Sequence, residues 1–185
     1  MPIGQQEAIN GVDVERLKDT VNAVREDPSL AKFVFRARNK WLGAGRNRST
    51  IKEFYGAGQE DTSRTSPFIL ENDEPEVLLG EDQAPNPVEF ILHALAGCLT
   101  TTVVFHAASR GIEIESVESS LEGDIDIQGF LGLSNTVPRG YRSIRVKLRV
   151  KSDEPTEKLV ELAKYSPVYN TVVGSVPVEL TIEKV

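Results

Sequence analysis

Read as apolar against polar positions, the chain changes period several times. Residues 11–25 carry Val14, Leu17, Val21 and Val24 at helical spacing, with Asp13 placed to cap and Asp27-Pro28 to stop the helix. Its apolar stripe is narrow, which predicts a helix lying on a surface or on a partner subunit. Over residues 31–40 the period falls to two. Phe33, Phe35 and Ala37 face one way and Lys32, Arg36 and Arg38 the other, which predicts a strand with one wet side. Residues 41–48 read as a turn and residues 49–55 as the returning strand of a hairpin. A polar loop is expected over 56–66, a third strand over 67–70 and a helical turn over 73–79.

The longest apolar stretch follows. Asn86 is a suitable N-cap, Pro87 suits the first helical position, and Glu89 can close a capping box. From Phe90 to Leu99 only His93 is strongly polar, so the helix is apolar nearly all round and is expected to be buried on all sides. Thr100, Thr101, Thr102 and His106 interrupt the run, and Gly111 is the expected stop. The run reads as too short and too interrupted to span a bilayer, hence as the central helix of a soluble protein. It carries Cys98, the chain's one cysteine.

Beyond Gly111 the period is again two. One long strand, or two with a slip near Ser116, is expected from Ile112 to Ile127, then a loop over 129–140. Ile144, Val146, Leu148 and Val150 alternate with Arg145, Lys147, Arg149 and Lys151 in a further strand. A helix over 153–165, a helical turn over 166–173 and a last strand through Val176, Val178, Leu180 and Ile182 complete the chain. The order predicts an α+β fold with mostly antiparallel strands.

Composition narrows the function. Of 185 residues 39% are hydrophobic, enough for a core, and the net charge of −7 with no basic run argues against nucleic acid as a partner. A single cysteine forbids an intramolecular disulfide and no secretory signal opens the chain, so a cytoplasmic protein without a membrane partner is expected. His93 and His106 stand thirteen residues apart on one helix, and no phosphate loop, catalytic triad or dinucleotide fingerprint occurs, so no metal and no cofactor are expected.

Asn86-Pro87-Val88-Glu89 followed by Ala94-Leu95-Ala96-Gly97-Cys98 resembles the central helix of the OsmC/Ohr family, the osmotically inducible and organic-hydroperoxide-resistance proteins. Ser166-Pro167-Val168 is similar to a segment where the peroxidase members carry Cys-Pro, and Gly45-Arg46 is similar to the family's Gly-Arg. The resemblance runs from about Trp41 to the C-terminus. Residues 1–30 read as a helical extension and residues 31–185 as a single OsmC-like domain. The resemblance implies an intertwined homodimer whose two central helices lie between sheets built from both chains.

It also implies roles for four residues. Cys98 would be a peroxidatic thiolate; the bland alternative is a small buried hydrophobe, the usual state of a free cysteine. Burial disfavours the charged sulfur, so a nearby cation is required. Arg46 is the candidate, with Arg48 as a substitute two residues on. Glu89 would orient the arginine through a bidentate pair. In the Ohr-type pattern, however, the acid directly follows Asn-Pro, whereas here Val88 does, and one helical position is a rotation of about 100°. Ser166 takes the place of the second, resolving cysteine, and as a serine it cannot form a disulfide; its local explanation is an N-cap. Two functions follow from the resemblance. One is a one-cysteine, thiol-dependent reductase of organic hydroperoxides, regenerated by an external thiol. The other is a non-catalytic OsmC-like protein that binds an apolar small molecule at the dimer interface.

Overall fold

In the computed structural model, which describes residues 8–174, the chain divides into two compact units. Of the described residues, the first holds 8 and 13–91 and the second 9–12 and 92–174. The last expected strand, at Val176 to Ile182, lies outside the described residues.

The first unit opens with α1 (Val14–Glu26), capped as expected by the Asp13 carboxylate, which accepts the Arg16 N–H. The alternating segment expected as one strand over 31–40 is broken in two. Residues Pro28–Ala31 form a 3-10 turn, and β1 (Val34–Phe35) and β2 (Arg38–Gly43) belong to different sheets. The reason lies in the aromatics: Phe33, Phe35 and Phe54 pack together with ring centroids 5.5–6.3 Å apart, which draws the first half towards β4. Strands β3 (Arg46–Ile51), β4 (Phe54–Gly56) and β5 (Gln59–Asp61) follow, then β6 (Phe68–Asn72). β3 is the middle of an antiparallel sheet ordered β2-β3-β6, and β4 is the middle of a smaller one ordered β1-β4-β5. Two expectations change here. Trp41 lies within β2, the turn being confined to Ala44-Gly45, and β5 occupies part of the expected polar loop.

The central helix, α2 (Pro87–Ala108), begins as its sequence dictates. Asn86 Oδ1 accepts the Val88 N–H at 2.8 Å, an N-cap bond, and the Glu89 carboxylate accepts the Asn86 N–H at 2.9 Å, the return bond of a capping box. Gly111, at φ 72°, ends it in the left-handed conformation that glycine adopts without strain. At 22 residues the helix is long and apolar enough to cross a bilayer, which corrects the judgement that the run was too short. Threonines are only weakly polar, so they interrupt the run less than their number suggests. Burial is also one-sided rather than all-round. Leu95, Leu99, Thr102, Val103, Ala107 and Ala108 are enclosed, whereas Ile91 is 42% and Phe105 45% exposed. Among the described residues, packing encloses one face of the helix.

The second unit is built on a long antiparallel ribbon, β7 (Ser116–Ile125) with β8 (Tyr141–Lys151), in register from Lys151 opposite Ser116 to Tyr141 opposite Ile125, with one irregularity between Tyr141 and Ser143. A short helix, α3 (Ile127–Phe130), starts the connection that was expected to be loop throughout. Helices α4 (Thr156–Ala163) and α5 (Pro167–Gly174) follow. Leu162 of α4 joins Ala107 and Ile112 in the buried core, with Ile114 packed against them. The loop after α2 is held from an unexpected quarter. The Asn10 side-chain amide donates to the Ile112 carbonyl at 2.9 Å, and its oxygen accepts the Ile114 N–H at 2.8 Å.

Candidate functional site

Cys98 sits in the middle of α2, between the buried Leu95 and Leu99, and is itself partly accessible. Facing it is the start of α5. Ser166 is wholly buried, and its hydroxyl donates to the Cys98 Sγ at 3.1 Å. Two residues 68 positions apart are thus brought together. The serine stands there because it begins a helix. Its Oγ accepts the Tyr169 N–H at 3.1 Å, its carbonyl accepts the Asn170 N–H, and Pro167 occupies the first helical position. The corner before it is fixed on α2 as well. The Tyr165 ring stacks on His106 at 4.4 Å between centroids, and Arg110 Nη1 lies 3.1 Å from His106 Nδ1. Burial, and then the positive charge of Arg110, holds His106 below the ordinary histidine value of 6.5, so the ring is neutral at pH 7.

The other residues singled out by sequence belong to the first unit. Arg46, half-exposed at the start of β3, has the Glu71 and Glu81 carboxylates at 3.9 and 3.8 Å. Arg48 donates from Nε to Glu71 at 2.8 Å, so both arginines converge on one acid. Glu89 serves the cap of α2. Sequence reasoning missed the group that organises this end of the unit, the buried carboxylate of Asp73. It accepts the N–H groups of Glu74, Glu81 and Gln83, and these bonds, that of Gln83 foremost, hold its pKa below the usual carboxylate value. The loop it gathers is tight. A Cβ on Gly80 would lie 1.8 Å from the Glu74 carbonyl oxygen, and one on Gly45 would lie 2.9 Å from the Glu74 side chain. Gly45 of the Gly-Arg pair thus lets the Glu74 side chain approach the backbone closely just before Arg46.

A cleft of about 930 Å³ opens within the second unit. Leu99, Val146, Leu148, Val150, Leu159 and Val160 give it apolar walls. Among the described residues no group of three His, Cys, Asp or Glu side chains is disposed to hold a metal ion.

The family model for OsmC-like proteins matches residues 80–181, more than half of the chain, and takes in both Cys98 and Ser166. The chain belongs to the OsmC-like family. Solved OsmC-like structures share its fold. An OsmC-like protein from Mycoplasma pneumoniae superposes with a TM-score of 0.58 at 16% identity, covering 77% of this chain and 89% of that one. A putative osmotic stress induced and detoxification response protein from Psychrobacter arcticus gives 0.54 at 14% identity, covering 73% and 85%. The organic hydroperoxide resistance protein OsmC from Legionella pneumophila gives 0.51 at 20% identity, covering 76% and 90%. No curated protein matches the chain. Membership of the OsmC-like family confirms the α+β fold with antiparallel sheets and a central helix.

Proposed function

We propose that this OsmC-like chain is a one-cysteine thiol peroxidase that reduces organic hydroperoxides. The observation that carries the reading is the placement of position 166, where the family's peroxidases carry their second cysteine, with its side chain 3.1 Å from the Cys98 sulfur. On this reading an oxygen stands beside the Cys98 sulfur where a second sulfur would resolve the sulfenic acid. In the first step the Cys98 thiolate attacks the terminal peroxide oxygen and the O–O bond breaks. The alkoxide takes up a proton and leaves as alcohol, and the sulfur, oxidised by two electrons, becomes a sulfenic acid. Ser166 cannot condense with it, so an external thiol does. It forms a mixed disulfide with loss of water, and a second thiol releases Cys98 and departs as the oxidised disulfide. Arg46 is the proposed cation for the thiolate.

The working unit we propose is a cytoplasmic homodimer. On α2 the positions Ile91, Ala94, Cys98, Thr101 and Phe105 recur every three or four residues on the less buried side, and a second copy would cover them. The experiment is turnover. Purified protein with a dithiol reductant should consume an organic hydroperoxide catalytically, and Cys98→Ser should not. Wild type no faster than the reductant alone sinks the proposal. The apolar cleft beside Leu99 favours the second reading, a non-catalytic carrier of an apolar small molecule, and an inert Cys98 in a protein that binds such a molecule would establish that one.

A further inference from the structure

The N-cap role accounts for only half of the Ser166 hydroxyl. Capping α5 uses a lone pair, which accepts the Tyr169 N–H. An aspartate, an asparagine or even a glycine starts a helix comparably well. Unlike aspartate or glycine, serine also brings a proton to donate, and among the described residues its hydroxyl donates to the Cys98 sulfur. The backbone groups of the residue are engaged as well. Its N–H donates to the Ala163 carbonyl at 3.0 Å, and its carbonyl accepts both the backbone N–H and the side-chain amide of Asn170. The hydroxyl is also shut off from water, since Ser166 has no exposed surface. A buried donor without a good acceptor is costly. A neutral thiol is a weak acceptor, and an anionic sulfur is a strong one. The arrangement is therefore best satisfied when Cys98 carries negative charge. The bonds run in one direction, from the Tyr169 amide to the hydroxyl to the sulfur, so each polarises the next.

We propose that Ser166 is a catalytic residue, whose hydroxyl holds the Cys98 sulfur in its attacking, anionic form. This rests on the reading of Cys98 as the peroxide-reducing residue and adds a role for the residue beside it. The serine keeps its own proton throughout. The sulfur's electron pair goes to the terminal peroxide oxygen, the O–O bonding pair leaves with the alkoxide, and the alkoxide is protonated by water. The exchange at position 166 thus replaces a group that would consume the sulfenic acid with one that supports the sulfur before the attack, and it leaves reduction to an external thiol.

The test compares wild type with Ser166→Gly, which keeps an adequate cap but loses the hydroxyl, and with Ser166→Thr, which keeps both. Two rates are followed at pH 7 on the full chain: alkylation by iodoacetamide and oxidation by cumene hydroperoxide. Ser166→Gly should slow both by at least about tenfold, the lower end of the factor for losing one hydrogen bond to a charged group, and Ser166→Thr should stay within about threefold of wild type. The deficit should close near pH 10, where a thiol ionises without help; a merely structural defect would persist there. If Ser166→Gly does not fold, Ser166→Ala provides the same comparison. A wild type that is alkylated readily yet ignores the hydroperoxide overturns the underlying peroxidase reading. A wild type that reacts with both, matched by the glycine and alanine variants at every pH, overturns the role of Ser166 alone.

Discussion

Phe105→Ala should take the proposed dimer apart. Phe105 lies on α2, two turns beyond Cys98, and keeps 45% of its surface open in the single chain. An enclosed aromatic side chain buries roughly 150–250 Å², so about 90 Å² per copy is left for a second subunit to cover. At about 25 cal/mol per Å² that is about 2 kcal/mol. A twofold interface contains the residue twice, so the variant should lose about 4 kcal/mol of association, about a thousandfold in Kd. Alanine is the best helix former, so the helix itself is not weakened. Sedimentation equilibrium from nanomolar to micromolar protein reads the dissociation constant, and circular dichroism checks the fold. A variant that dimerises as tightly as wild type would refute the placement of this face in the interface. A wild type that sediments as a stable folded monomer at micromolar concentration would refute the dimer altogether.

Three further outcomes follow from named contacts. Gly80→Ala drives a Cβ into the Glu74 carbonyl oxygen, which as backbone cannot swing aside; a loss of about 1–3 kcal/mol is expected by urea titration, and an unchanged midpoint would mean that the loop around Asp73 is not as drawn. Asn10→Gly keeps the left-handed backbone at φ 56° but strands the Ile112 carbonyl and the Ile114 N–H; it should cost about 1–3 kcal/mol while leaving Cys98 alkylation unchanged, and a change in that rate would count against a purely structural N-terminus. His106 is held below its ordinary 6.5, so the unfolded chain takes up a proton before the folded one does; its contribution to stability is complete above pH 6.5 and is lost as pH falls through the lower folded value. The difference in urea midpoint between wild type and His106→Gln should therefore depend on pH below 6.5 and level off above it, and a difference constant with pH would remove His106 as the cause.

How far the sequence could be read depended on how local each determinant was. Caps and stops needed only near neighbours, so Asp13, the Asn86–Glu89 box and Gly111 stand where residue chemistry puts them. The clean alternation from Ile144 to Val150 became one face of β8 for the same reason. Errors arose where distant residues decide. The break at residues 36–37 was hidden in a good alternating pattern, because it depends on Phe54 of another strand. The convergence of Arg46 and Arg48 on Glu71 depends on register, Arg48 standing opposite Glu71 across β3 and β6. Asp73 looked like one acid in an acidic run, although an acid seven residues ahead of Gly80 and shortly before an expected helical turn was the available signal for a loop anchor. The Asn10 tie to Ile112 had no local signal, its partners being more than a hundred residues away. At the site, motif matching put Cys98 and Ser166 on the same page, and only the fold supplied the hydroxyl-to-sulfur bond between them.

The most direct measurement of the central claim is the mass of Cys98 after one equivalent of organic hydroperoxide, with a sulfenic-acid trap present and no reductant. One trapped adduct per chain is expected, on Cys98, and it should disappear when thiol is supplied before the trap. Arg46→Met should form the adduct more slowly. A wild type with no adduct, or an Arg46→Met protein that labels at the wild-type rate together with a wild type oxidised elsewhere than Cys98, would contradict the claim and leave Cys98 as a residue of the helix packing.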